Sequence, residues 1–180
     1  MKFSSSSSRV LCAAALGLIV GAPVTRAQNA TVTLLGYQTA VPAGWTSRAP
    51  SSNMRLAEYT TPGTPGAEVV VYFFGKGQGG AIEPNLARWR GQFSSSDGSP
   101  VREKVTRDST GAFPITMAEY TGTYARGIGA GDASQAKPNQ TLVAVIVETP
   151  NGTIFVQLFG PSAAVATQRD AVARFARELK

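Results

Sequence analysis

The sequence predicts an α+β fold in which a mostly antiparallel sheet of about six to seven strands is flanked by two helices. β-Rich runs follow one another across short turns, and strands joined in this way pair antiparallel because parallel pairs need long crossovers. Two segments, near residues 82–93 and 162–179, show helical periodicity. The length of 180 residues is sufficient for one domain with a full core.

The amino terminus has the three parts of a secretory signal peptide over residues 1–27. Lys2 and Arg9 make its start positive, Val10–Ala22 is apolar, and small residues precede the expected cleavage site. The apolar run is shorter than the roughly 20 residues of a membrane helix. We therefore expect export to the periplasm or the cell exterior, and no membrane insertion after cleavage. In the alternative, the segment stays attached as an uncleaved anchor. Residues 28–180 are expected to form a single α+β domain.

Four strands are expected before the first helix. In the third of them, Met54, Leu56 and Ala57 are expected to face inward. The fourth is a continuous run of β-forming residues, which indicates a central strand buried on both faces. The four strands are Thr31–Leu35, Tyr37–Val41, Met54–Thr60 and Glu68–Phe74.

The first helix is predicted over Ile82–Phe93, because apolar residues recur there at spacings typical of one helical face. Pro84 fits its first turn, where a missing N–H group costs nothing. Two strands, Val101–Arg107 and Phe113–Tyr124, are expected next, followed by a loop over Ala125–Asn139.

A hairpin is predicted where Asn151-Gly152 separates the β-rich runs Thr141–Thr149 and Thr153–Phe159, since Asn-Gly favours a tight turn. A final helix is predicted over Ser162–Leu179. Its buried face is expected to contain four apolar residues: Val165, Val172, Phe175 and Leu179.

Missing residue types limit the possible chemistry. The chain has no histidine, and its one cysteine, Cys12, lies in the expected signal peptide. The exported domain can therefore have no disulfide, no thiol nucleophile, no Ser-His-Asp triad and no zinc site of the ordinary Cys/His kind. We expect no cofactor and no bound metal.

The net charge gives no indication of a nucleic-acid partner. It falls from +6 to +3 when Lys2, Arg9 and Arg26 leave with the signal peptide, and the remaining lysines and arginines form no stripe. The expected partner is a protein or a small ligand.

A glycine-rich loop, Gly75–Gly80, matches the G-x-G-x-x-G pattern between a strand and a helix. A Rossmann fold is rejected because it requires repeated βαβ crossovers, and this chain has only two helical segments. A simpler anion or nucleotide-like site on the loop stays open. In the alternative, the glycines serve only to permit positive φ where the chain turns sharply onto the sheet.

The candidate binding residues are Gly77, Gln78, Asn85 and Arg88. Asn85, Arg88 and Gln92 share one helical stripe beside the glycine loop, and Arg88 could recognise a carboxylate or phosphate. In the alternative, Asn85 and Gln92 tie the helix to the loop, and Arg88 is a surface group.

No catalytic residue is assigned. An Asp/Glu-based hydrolase is a further alternative, for which Glu83, Glu103 and Glu119 are the candidate carboxylates. Nothing in the sequence pairs them.

Two parts of the sequence resemble known families. Val41–Trp45 (VPAGW) resembles the opening segment of PsbP-like α/β domains. A second set of residues is similar to a family of small exported bacterial proteins of unknown function: Tyr72–Gly75, Gly77–Gly80, Asn85, Arg88-Trp89, Gln92-Phe93 and Phe159–Pro161. The resemblance implies a PsbP-like fold, with binding or assembly rather than catalysis. The leading hypothesis is an exported, non-enzymatic binding or assembly domain.

Overall fold

The computed structural model describes residues 30–63, 65–125 and 136–180. The expected signal peptide, residues 1–27, lies outside the described residues. The described chain forms ten strands and two helices. In chain order they are β1 (Thr31–Leu34), β2 (Tyr37–Ala40), β3 (Thr46–Arg48), β4 (Arg55–Thr60), β5 (Glu68–Tyr72), α1 (Ile82–Arg90), β6 (Phe93–Ser94), β7 (Arg102–Asp108), β8 (Ile115–Tyr124), β9 (Lys137–Thr149), β10 (Gly152–Pro161) and α2 (Ser162–Arg177).

The main sheet has eight strands in the order β3-β4-β5-β10-β9-β8-β6, and β7 also pairs with β8. Every pairing is antiparallel, and β1 and β2 form a separate hairpin. The predicted α+β class is confirmed, with more strands than the predicted six to seven. The strands β3 and β6 were missed because segments of three and two residues are defined by their neighbours and have no periodicity of their own.

The two faces of the sheet are covered differently. On the α2 face, Val143, Val145 and Val147 of β9 pack with α2 and the β1–β2 hairpin. On the opposite face, the α1 face, Leu86 and Trp89 of α1 join a cluster of buried residues from β8, β9 and β10. The Asn-Gly hairpin prediction is confirmed by the β9–β10 pairing, in which Thr149 lies opposite Gly152.

The α2 helix is attached through its carboxyl-terminal end. The Oγ1 group of Thr39 donates to the carbonyl of Phe175 at 2.8 Å. The backbones of Gln38 and Lys180 exchange two hydrogen bonds, at 2.8 and 3.1 Å. The four apolar residues predicted for its inner face are all buried, as expected.

The inward orientation predicted for Met54 is wrong, because its side chain is 53% exposed. The strand begins one residue later, and a bulge between Arg55 and Ala57 interrupts the pairing with β5. A bulge inserts an extra residue and shifts the alternation of faces. The buried residues of β4 are therefore Ala57, Glu58 and Tyr59.

The first helix is shorter than predicted, because α1 ends at Arg90 and Phe93 belongs to β6, opposite Tyr124. Phe93 still packs in the same cluster as Leu86 and Trp89. The predicted loop Ala125–Asn139 is also shorter, since β9 already begins at Lys137. Residues 126–135 of that loop lie outside the described residues.

Candidate functional site

The α1 helix leaves part of its sheet face uncovered, and a cavity of about 510 Å³ lies there. We call it the sheet-face cavity. Val70 of β5 and Gln157 of β10, which are register partners, lie on its floor. The lining residues are Arg55, Glu68, Val70, Tyr72, Gln92, Tyr124, Lys137, Leu142, Gln157 and Phe159.

The walls of the sheet-face cavity combine apolar surface with amides. The rings of Tyr124 and Phe159 pack with centroids 4.5 Å apart, and Leu142 lies beside them. The side-chain amides of Gln92 and Gln157 line the same cavity and make no hydrogen bond to any described residue. Both are partly exposed, so water satisfies them until another polar group takes its place.

The charges at one edge of the cavity compensate one another. Arg55 lies 3.1 Å from Glu58, while Arg48 bridges Glu58 and Glu68. The backbone N–H of Ser51 donates to Glu58 at 2.6 Å, and this bond, aided by Arg55, lowers the pKa of that carboxyl. Glu58 is therefore held ionised between its arginine partners.

Lys137 lines the cavity at another point and has no carboxylate partner among the described residues. The arginines and glutamates at the edge of the cavity cancel one another's charge. Lys137 therefore gives the cavity a net positive charge. An anion is therefore favoured over a cation as its occupant.

The predicted glycine-loop residues line a second cavity of about 430 Å³, which we call the glycine-loop pocket. Gln78, Asn85 and Arg88 line it. Gly77 does not, and Gln92 lies in the sheet-face cavity instead. The remaining lining residues are Phe74, Gly79, Gly80 and Pro84.

Asn85 is 4% exposed, and its carboxamide is used within the scaffold. Its Nδ2 group donates to the carbonyls of Gly79 and Ala81 at 2.8 and 2.9 Å. Its Oδ1 atom accepts from Nη2 of Arg88 at 2.6 Å. Asn85 thus ties α1 to the glycine loop and also positions Arg88. Gln92 has no such bond to the loop, so the tie expected from Gln92 is wrong.

The glycines of the loop adopt backbone conformations with positive φ. This agrees with the alternative in which they serve to let the chain turn sharply onto the sheet. Gly75, Gly77, Gly79 and Gly80 have φ values of 106°, 72°, 95° and 79°. A Cβ atom on Gly79 would lie 2.7 Å from the ring of Phe155, whereas one on Gly77 would meet nothing within 4 Å. Gly79 is therefore required for close packing onto the sheet, and Gly77 only for backbone conformation.

Arg88 differs from most of the described arginines. Six of the nine have a carboxylate within 4 Å, and Arg88, Arg102 and Arg174 do not. Arg88 is exposed, lies 5.8 Å from the Trp89 ring centroid and lines the glycine-loop pocket. It is a positioned guanidinium at a cavity, with no acidic partner among the described residues.

The two cavities are neighbours. Tyr72 lines one and Phe74 the other, and their rings stack with centroids 5.9 Å apart and an angle of 7° between their planes. Phe155 packs edge-on between Phe74 and Trp89, at centroid distances of 5.4 and 6.4 Å. The two cavities are thus adjacent, with the Tyr72–Phe74 ring pair between them.

The three carboxylates considered for hydrolysis are not brought together. Glu103 and Glu119 lie on opposite faces of the sheet, since their partners belong to α1 and α2. Each of the three contacts a different arginine: Glu83 contacts Arg107, Glu103 contacts Arg90 and Glu119 contacts Arg169.

Glu58 and Glu68 form a further carboxylate pair, which was not predicted from the sequence. Both carboxylates form an ion pair with Arg48. A hydrolytic pair requires one carboxyl that can donate a proton, and its pKa is normally raised. Because the pKa of Glu58 is lowered instead, Glu58 is not suited to be the proton donor of such a pair.

Sequence reasoning also missed Lys137, Tyr124 and Gln157 of the sheet-face cavity. Gln157 carried a usable signal, since it is the single polar residue in the apolar run Ile154–Phe159. The others are far apart along the chain and meet only because β10 lies between β5 and β9.

The comparisons with known proteins identify a fold. No protein-family model and no curated protein matches the sequence. The solution structure of cyanobacterial PsbP (CyanoP) from Synechocystis sp. PCC 6803 is similar, with a TM-score of 0.56, 12% identity, and 91% of this chain and 98% of that chain covered. The crystal structure of a protein of unknown function from Pseudomonas aeruginosa, described as a putative regulator, matches with a TM-score of 0.36, 13% identity and coverages of 80% and 90%. The first similarity shows that the fold is PsbP-like.

Neither described helix is long and apolar enough to cross a membrane.

Proposed function

We propose that this chain is an exported, non-enzymatic domain that binds a small ligand in the sheet-face cavity. The observation that carries the proposal is the pair of amides, Gln92 and Gln157, in an aromatic-walled cavity where neither bonds to a described residue. Ligand sites typically combine apolar walls with a few converging polar groups. The volume of about 510 Å³ lies within the roughly 300–1,000 Å³ of such sites.

The absence of catalysis is supported by the chemistry of the residues. The whole chain lacks histidine, and its single cysteine lies in the expected signal peptide. The three carboxylates considered for hydrolysis are each paired with an arginine, and Glu58 is held ionised. The PsbP-like fold agrees with binding, although a fold alone does not determine a function.

The proposal is tested by screening a fragment library against the purified protein with ligand-observed NMR. Gln157→Trp fills the cavity floor with a large ring. Thr153→Trp is the matched control, because Thr153 lies four residues away on the same strand and face and lines a different cavity.

We expect some fragments to bind the wild type and the Thr153→Trp variant. The same fragments should not bind the Gln157→Trp variant. Thermal unfolding of both variants checks that each is folded. Fragments that bind all three proteins equally, or no binding fragments at all, would contradict the proposal.

The export proposal has its own test. Expression of the full chain in a Gram-negative bacterium, followed by fractionation and amino-terminal sequencing, should find a protein that begins at Gln28 outside the cytoplasm. An uncleaved chain confined to the cytoplasm would contradict export.

A further inference from the structure

We infer that the ligand is a small organic acid with a flat apolar body, whose carboxylate is bound by Arg88. The body then lies along the Tyr72–Phe74 ring pair and reaches into the sheet-face cavity. This inference rests on the proposed function and extends it, because it joins the glycine-loop pocket to the cavity and assigns a charge to the ligand.

The guanidinium of Arg88 is held in a fixed position in which it can bind an anion. Its Nη2 group is held by Oδ1 of Asn85 at 2.6 Å, and the amide of Asn85 is itself fixed by two backbone carbonyls. A guanidinium has five N–H donors, so several remain for a ligand after one is used. Because Arg88 is already positioned, less side-chain entropy is lost when the anion binds. Asn85 is thus a positioning residue.

The charge and shape of Arg88 favour a carboxylate over a phosphate. A guanidinium is planar and matches the two oxygens of a carboxylate through parallel hydrogen bonds. A phosphate monoester carries about −1.5 to −2 charges at neutral pH and usually needs more than one positioned cation. Lys137, at the cavity, is exposed and has no side-chain hydrogen bond to a described residue, so it attracts an anion without fixing its position.

The surface between Arg88 and the cavity suits a flat apolar group. Tyr72 and Phe74 stack almost in parallel, at 7°, and both are partly exposed. Phe155 supports Phe74 from below at 5.4 Å. Because the two rings stack on each other and the guanidinium of Arg55 lies 5.4 Å from the Tyr72 centroid, a planar ring placed along the pair would meet ring edges. Such an edge-to-face contact between aromatic rings is favourable.

Titration of the purified protein with three probes tests the inference. The probes are naphthalene-2-carboxylate, the neutral 2-naphthamide and 2-naphthyl phosphate. The variants are Arg88→Gln and the control Arg174→Gln, since Arg174 also lacks a carboxylate partner among the described residues but lies on α2, at the opposite face.

We expect the wild type and Arg174→Gln to bind the carboxylate about tenfold or more tightly than the amide. Arg88→Gln should abolish that preference by lowering the affinity for the carboxylate toward that for the amide. Added salt should weaken carboxylate binding and not amide binding.

Three results would overturn the inference: equal binding of carboxylate and amide, a carboxylate preference that survives Arg88→Gln, or tighter binding of the phosphate than of the carboxylate. Absence of carboxylic acids from the fragments that bind would overturn it too. If neutral fragments still bind and are lost with Gln157→Trp, the proposed function holds while this inference fails.

Discussion

The Nη2 atom of Arg88 lies 2.6 Å from Oδ1 of Asn85, and this contact gives two adjacent polar residues different roles. Asn85 is buried and bonded to the backbone of the glycine loop. Arg88 is exposed and faces the glycine-loop pocket without a carboxylate partner among the described residues. One residue holds the scaffold, and the other is available to a ligand.

Replacement of these two residues should therefore affect stability differently. Asn85→Ala removes two part-buried bonds to the carbonyls of Gly79 and Ala81, and we expect a loss of about 1–3 kcal/mol. The unfolding midpoint should fall by several degrees in a domain of this size. Arg88→Gln should lower it less, because this change removes one part-buried hydrogen bond to Asn85 and the contact of an exposed guanidinium with Trp89. Thermal unfolding by circular dichroism measures both, and equal shifts would contradict the division of roles.

Two glycines of the loop should also differ. In Gly79→Ala the new Cβ would lie 2.7 Å from the Phe155 ring at a φ of 95°, so both a steric clash and backbone strain are expected. In Gly77→Ala only backbone strain arises, costing about 1–2 kcal/mol. Denaturant unfolding should show the larger loss for Gly79→Ala. A loss as large for Gly77→Ala would show that the loop packs more tightly than described.

Because of Asp108, the free energy of unfolding should change with pH in the acid range. Hydrogen bonds from Thr110, aided by Arg177 at 2.9 Å, lower the pKa of Asp108 to about 2 from its usual 3.8. A lowered pKa means that the folded state favours the carboxylate, so its contribution is present above about pH 4 and is lost as the pH falls toward 2.

Asp108→Asn should therefore lower the unfolding midpoint at pH 7, and the gap to the wild type should close between about pH 4 and 2. Midpoints measured across this range provide the check. A gap that stays constant to pH 2 would mean that the carboxylate charge does not matter.

The attachment of α1 should depend on Tyr120. Its buried hydroxyl donates to the carbonyl of Leu86 at 3.1 Å and also interacts with the carboxylate of Glu103. Tyr120→Phe should cost about 1 kcal/mol, the usual net value of one hydrogen bond. Tyr37→Phe is the control, because the half-buried Tyr37 packs edge-on against Phe113 and its hydroxyl bonds to no described residue. Equal unfolding free energies for the two variants would contradict this role of the Tyr120–Leu86 bond.

Much of the fold could be predicted because its signals are local. Asn151-Gly152 specifies a turn by its own conformational preferences, and the spacing of Val165, Val172 and Phe175 defines the buried face of α2. The orientation of Met54 and the end of α1 were wrong because a bulge and a strand pairing with Tyr124 decide them. Those features depend on distant segments.

The site was predictable in part for the same reason. Asn85 and Arg88 share a helical stripe, so their proximity follows from sequence spacing. The meeting of Gln92, Gln157 and Lys137 follows from a strand order in which β10 lies between β5 and β9. The sequence contains no local pattern for that order.

The most direct test of the sheet-face cavity as the binding site is to follow side-chain amide resonances by NMR while a fragment from the screen is added. The amides of Gln92 and Gln157 should shift, because both line the cavity without a described hydrogen-bond partner. Gln168 serves as an internal control, since its Oε1 accepts from Nε1 of Trp45 at 2.9 Å on the α2 side. Changes in chemical shift confined to the amides of Gln92 and Gln157 would support the proposed function. A fragment that changes the chemical shift of the Gln168 amide, and not those of Gln92 and Gln157, would contradict it.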